Sequence, residues 1–189
     1  MPVANKSRVY QIKVTLNKAR PPIWRRLLVP GSISLDTLHD ILQTAMGWTD
    51  SHLHQFEVRG EIYGIPDPEF GEGTKNETRF RLDQALLREK EAMVYEYDFG
   101  DGWEHKIVLE KILPSAQGIA VPGCVGGARA CPLEDCGGIW GYHELLKAIR
   151  DPAHPRHKEM LEWIGGSFDP EYFDVQEINR LLVPRKRRA

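Results

Sequence analysis

The chain has 189 residues, 41% of them hydrophobic and 28% charged, which fits one globular domain with room for a core. No run of about 18 apolar residues is present to span a bilayer, and the opening MPVANKSRVYQ lacks the apolar stretch of a secretory signal, so a soluble cytoplasmic protein with free thiols and no membrane partner is expected. The formal net charge is −2, yet the terminal PRKRRA holds Arg185, Lys186, Arg187 and Arg188, and without them 21 basic residues face 27 acidic ones. An acidic body argues against duplex nucleic acid bound through a folded surface; only Arg25, Arg26 and the tail are candidates for phosphate contacts, and a solvated terminus is the competing reading.

Residues 9–16, VYQIKVTL, alternate so that Tyr10, Ile12, Val14 and Leu16 share a face, the pattern of a half-buried strand. After the turn NKARPP, residues 23–29 read as a second strand paired with it as a hairpin. Ser34 is placed to cap a helix in which Leu35, Leu38, Leu42, Ala45 and Met46 recur at helical spacing and Gly47 ends the run. HLHQFEVRGEIYG reads as a strand with a turn near Gly60, PDPEFGEGTKNET as a polar loop, and EAMVYEYDF and WEHKIVLEKIL as strands flanking a turn. This order predicts an α+β fold of β-grasp character, a mixed sheet with one helix across it. Residues 114–138 lack periodicity and read as a Gly/Cys loop; three helices follow, around Tyr142–Ile149, Met160–Ile164 and Ile178–Leu182, the last with Asp174 and Glu177 as a capping box. The expected organisation is a single domain 1–189, with a core at 7–113, the loop at 114–138, C-terminal helices at 139–183 and the basic tail at 184–189.

Residues 97–105, YDFGDGWEH, pose the sharpest question. A three-residue loop Gly100-Asp101-Gly102, with Gly102 left-handed, sets Phe99 opposite Trp103, Tyr97 opposite His105 and Tyr95 opposite Ile107. It also sets Asp98 opposite Glu104, an unfavourable pair unless a cation or donor lies between. The bland alternative is an Asp98 side chain that caps its own loop, with Glu104 in water and His105 a core histidine.

Cys124, Cys131 and Cys136 are separated by six and four residues, not the two-residue knuckle of zinc ribbons. With His143, or with Asp135, His52 or His54, they would complete a four-ligand site for a divalent metal such as zinc; buried or partly exposed thiols are the competing reading. His52 and His54 share a strand face from which both would reach a metal, or they line a polar rim. GEGTKNET lacks the glycine and helix of a phosphate loop, the kinase-like Asp98-Phe99-Gly100 lacks its companion elements, and no zinc-protease helix, nucleophile elbow or dinucleotide fingerprint occurs.

Four segments in order, VYQIKVTLNKARPPIWRRLLVP, LHDILQTAMGWTDSHLHQF, YEYDFGDGWEHKIVLE and CPLEDCGGIWGYHELL, resemble the plasmid pRiA4b open-reading-frame-3-like family, with Leu133 where the family loop usually has a second proline. Some members carry a resolvase-type label as insertion-element passengers, but the nucleophile set among arginines that a resolvase needs is not found here. The resemblance therefore implies no catalytic residue. The functional expectation is a binding or interaction module for a protein or small ligand, its surface built from Asp98, Asp101, Trp103, Glu104, His105, Glu134, Asp135, Trp140 and Tyr142. A metal-dependent hydrolase or nuclease using Asp98, Glu104 and Asp135, and a nucleic-acid accessory protein acting through the tail, are the alternatives.

Overall fold

A computed structural model of the chain describes residues 8–66, 73–114 and 120–183, so the basic tail and its four cations lie outside the described residues. The first hairpin forms as its alternation predicts: β1 (Val9–Leu16) pairs antiparallel with β2 (Trp24–Pro30), Ile12 opposite Leu27. Helix α1 (Leu35–Met46) starts after Ser34 and ends on Gly47 at φ 91°. Ser34 does not cap it through its side chain, however; its hydroxyl lies 3.1 Å from that of Thr37. The strands β3 (His54–Val58) and β4 (Glu61–Gly64) turn at Gly60, and the short β5 (Lys75–Asn76) joins β4 in parallel. A short helix α2 (Leu82–Ala85) precedes the long hairpin of β6 (Ala92–Tyr97) and β7 (Trp103–Leu113).

Residues 114–138 are not all loop. Their centre forms β8 (Gly123–Ala128), an edge strand on β2. Its glycines hide it from pattern reading and are needed there, since a Cβ on Gly127 would lie 2.4 Å from the Phe173 ring. The helices α3 (Gly138–Arg150), α4 (His157–Trp163) and α5 (Val175–Leu182) follow, and the Asp174 carboxylate caps α5 by accepting from the amides of Gln176 and Glu177.

The result is an α+β fold on one mixed sheet ordered β5-β4-β3-β6-β7-β1-β2-β8, with β1 and β7 antiparallel at its centre. One face packs on α1: Ile12, Val14, Leu27, Val29, Tyr95, Tyr97, Trp103 and Ile107 meet Leu35, Leu38, Leu42 and Ala45 in a continuous core, with His105 buried on the same face. Arg25 is on this inner face and is only 3% exposed. Its guanidinium donates to the carbonyls of Ala45, Trp24 and Ala128 and lies over Phe173, a clamp that places a cation at the C-terminal end of α1. The outer face is polar; there Arg26 makes a two-pronged pair with Glu110.

The hairpin register differs from the expected one by two residues. Tyr97 pairs with Trp103, Tyr95 with His105, Met93 with Ile107 and Glu96 with Glu104, leaving the five residues 98–102 as the loop. A shift of two preserves which face each side chain takes, so the aromatic face forms, but Phe99 leaves it and is 50% exposed. Asp98 begins the loop in a left-handed conformation, φ 56°, and its Oδ1 accepts from the amides of Gly100 and Asp101. Gly102 is left-handed as expected, at φ 66°.

Candidate functional site

Three of the chain's Gly- and acid-rich segments converge above the end of this hairpin. Gly47 turns the chain out of α1 into Trp48-Thr49-Asp50-Ser51-His52, the loop 98–102 rises beside it, and residues 130–137 close the junction. Trp48 stacks on Tyr97 at 5.0 Å and donates its indole N–H to the carbonyl of Pro132. The Tyr97 hydroxyl accepts from the Ser51 amide and donates to Glu134 at 2.5 Å, while Glu134 also accepts from the Thr49 hydroxyl at 2.6 Å. Burial, reinforced by the Glu134 carboxylate, holds the Tyr97 phenol far above its ordinary pKa, so it stays protonated and serves as a donor. Asp101 accepts from the Gly137 amide at 3.2 Å, and a Cβ on Gly138 would strike the Asp101 carbonyl at 2.4 Å, which explains why the loop passes this point with glycine.

His52 stands between Asp98 and Asp135. Its Nε2 is 3.2 Å from Asp135 Oδ1 and 3.7 Å from Asp98 Oδ2, and that nitrogen is shielded from solvent without a hydrogen bond among the described residues. Asp98 therefore does face another acid, but the acid is Asp135 and a histidine lies between. Glu104 is on the opposite face of the sheet from this junction, because its strand neighbours Trp103 and His105 point inward.

A second group lies under the first. His39 and His54 stack with ring centroids 3.4 Å apart and planes at 6°. His39 Nε2 is 2.8 Å from Asp50 Oδ1 and its Nδ1 2.8 Å from the Tyr95 hydroxyl; His54 Nε2 meets Glu77 at 2.9 Å. Gln43 donates to that same Tyr95 hydroxyl, which frees the phenolic proton for His39 Nδ1 and places the ring proton of His39 on Nε2, toward Asp50. Burial, then the neighbouring His54, pushes the His39 pKa down, so His39 is neutral. His52 and His54, expected to act together, thus serve different clusters.

The nine residues expected to form one surface separate by burial. Asp98, Asp101, Glu134 and Asp135 come together, and Trp140 is 81% exposed in the first turn of α3. Trp103 and His105 are in the core at 1% and 0% exposure, and Tyr142 is buried on the inner side of α3, because the apolar faces of their elements are what the sheet and helices bury. His105, expected on the surface, is a core histidine: packed against Trp48 and Tyr95 with no hydrogen bond on either nitrogen among the described residues, it has its pKa pushed down to about 4 by burial.

The cysteine site does not form. Cys131 packs against Met46 and Arg25, at 3.5 and 3.6 Å, while Cys124 and Cys136 donate to backbone carbonyls two residues on. Burial raises the thiols of Cys131 and Cys136 to about 11 and about 12. Among the described residues, the groups whose ligand atoms lie within 4.8 Å of one another are His52, Asp98, Asp135 and His39, Asp50, His54; no cysteine joins them, and neither does His143. Asp50, Thr49, His39 and Glu77 escaped the sequence reading. The cluster of polar residues in GWTDSH hinted at Thr49 and Asp50, while nothing local marked His39 or Glu77, whose partners lie in other segments of the chain.

No helix among the described residues is long and apolar enough to cross a membrane. The model of the plasmid pRiA4b ORF-3-like protein family matches residues 8–177. The chain is 44% identical to the uncharacterized protein y4hQ of Sinorhizobium fredii over 176 residues, which is 92% of this chain and 90% of that one. A crystal structure of the protein of unknown function MM3350 from Methanosarcina mazei Go1 superposes with a TM-score of 0.82 at 37% identity, covering 90% of this chain and 97% of that one. The converging segments described above fall inside the matched region, and the chain belongs to the plasmid pRiA4b ORF-3-like family.

Proposed function

We propose that the protein is a binding module and that its ligand, at the junction of the 47–54, 98–102 and 130–137 segments, is a cation. One observation carries this reading. Asp98, Asp101, Glu134 and Asp135 are gathered in one place, and among the described residues no lysine or arginine pairs with any of them; His52 is their only ionisable partner of opposite sign. Unscreened carboxylates at close range raise one another's energy and attract positive charge. Beside them a cavity of about 340 Å³ runs between α3 and α4, from Asp135 to Leu145, Met160 and Trp163; Glu144, Glu159 and Arg156 also line it, and Arg156 is paired with Glu159. The half-exposed Trp163 and the exposed Trp140 offer ring faces of the kind that attract cations. The hydrolase or nuclease alternative has less support, because Glu104, one of its three acids, is on the other face of the sheet.

Thermal unfolding with spermidine, an oligolysine peptide and divalent metal chlorides, against sulfate and an oligoglutamate peptide as controls, tests the reading. A cation present at a hundred times its Kd stabilises the fold by about 2.7 kcal/mol, a rise of about 5–10 °C for a domain of this size, and Asp101→Asn with Asp135→Asn removes most of the rise. Equal shifts from the anionic controls, or shifts that survive the double substitution, would sink it.

A further inference from the structure

We propose that His52, Asp98 and Asp135 bind a divalent first-row metal ion, such as zinc or manganese. The proposal rests on the junction being a cation site, and it names the cation. Three segments far apart in sequence each deliver one ligand atom, and these atoms lie within 4.8 Å of one another. Ligand atoms bonded to a metal at about 2.0–2.2 Å are separated by about 3.0 Å when octahedral neighbours and about 3.4 Å when tetrahedral. The 3.2 and 3.7 Å from His52 Nε2 to the two carboxylate oxygens match that spacing with a small closure.

A plain ion pair explains the arrangement less well. Asp135 Oδ1 is near enough to His52 Nε2 for a hydrogen bond, yet among the described residues none is formed and the shielded nitrogen has only the two carboxylates as neighbours of opposite charge. Two carboxylate oxygens approach the same nitrogen, at 3.2 and 3.7 Å, where a simple N–H donor would serve one. The supports are those that metal ligands need. Asp98 Oδ1 is held by the amides of Gly100 and Asp101, which leaves Oδ2 for the ion. The His52 ring packs edge-on against Tyr97 at 5.8 Å, and Tyr97 is fixed in turn by Ser51 and Glu134. One neutral imidazole and two carboxylates suit borderline divalent ions. Asp135 is largely exposed and also lines the cavity between α3 and α4, so coordination positions not filled by protein open toward that cavity. The deeper His39, Asp50, His54 group is the weaker candidate, since its nitrogens are already committed to Asp50, Tyr95 and Glu77.

Titration calorimetry of metal-stripped protein with zinc and manganese chloride is the test, accompanied by the absorption spectrum of the cobalt form. The expected result is one ion per chain, bound about tenfold or more weaker in His52→Ala and in Asp135→Asn, with no thiolate charge-transfer band in the cobalt spectrum. Both substitutions are at partly or fully exposed side chains, and unchanged circular dichroism will show that the fold is kept. Affinity unchanged in both variants, a thiolate band, or no metal binding overturns the assignment. If metals fail while spermidine or oligolysine still binds, the cation-binding reading survives without the metal; if every cation fails, both fall.

Discussion

His105 gives a direct test of how the core was assembled. The side chain is fully buried with neither ring nitrogen hydrogen-bonded among the described residues, and burial pushes its pKa down to about 4. In the unfolded chain a histidine titrates near 6.5. As pH falls below that value the unfolded state takes up a proton that the native state refuses, so stability is full above about pH 6.5 and declines until the native ring protonates near pH 4. The linkage relation gives a loss of about 2 kcal/mol between about pH 7.5 and about pH 5 from this residue alone, a range that stays above most carboxylate titrations. The perturbation is His105→Leu, which puts an apolar side chain of similar size between Trp48 and Tyr95 and removes two nitrogens that have no hydrogen bond among the described residues. Urea unfolding of both proteins across that range is the assay. The variant should be as stable as the native chain or more so at about pH 7.5, and its advantage should grow by about 2 kcal/mol toward pH 5. His39, also held neutral by burial, contributes equally to both profiles and cancels. Parallel profiles for the two proteins would refute the reasoning.

The Tyr97 hydroxyl joins the sheet to the 130–137 loop, so a cycle of Tyr97→Phe and Glu134→Ala should show a coupling of about 1–2 kcal/mol in urea unfolding; a coupling below about 0.3 kcal/mol would mean that this bond does not fasten the junction. The shifted hairpin register predicts that Phe99→Ser changes stability by no more than about 0.5 kcal/mol while Trp103→Ala costs about 3–5 kcal/mol. Comparable losses for the two would restore the tighter Gly-Asp-Gly loop.

The strands other than β5 and β8, the main helix and the faces they bury were determined by the sequence alone, because alternation at period two and recurrence at three and four report which side of an element must leave water. Tyr95, Tyr97, Trp103 and His105 are on one face under either hairpin register, so an error of two residues leaves the core intact. Only the tertiary structure decided what the error concealed: Asp98 opens a five-residue loop and meets His52 and Asp135, not Glu104. The cysteines looked like ligands because they are near one another in sequence, yet β8 carries Cys124 to the sheet edge while Cys131 drops into the core. No local pattern links positions 52, 98 and 135. They meet because Gly47 turns the chain out of α1, Trp48 stacks on Tyr97, and a glycine at 138 lets the backbone pass the Asp101 carbonyl where any side chain would collide.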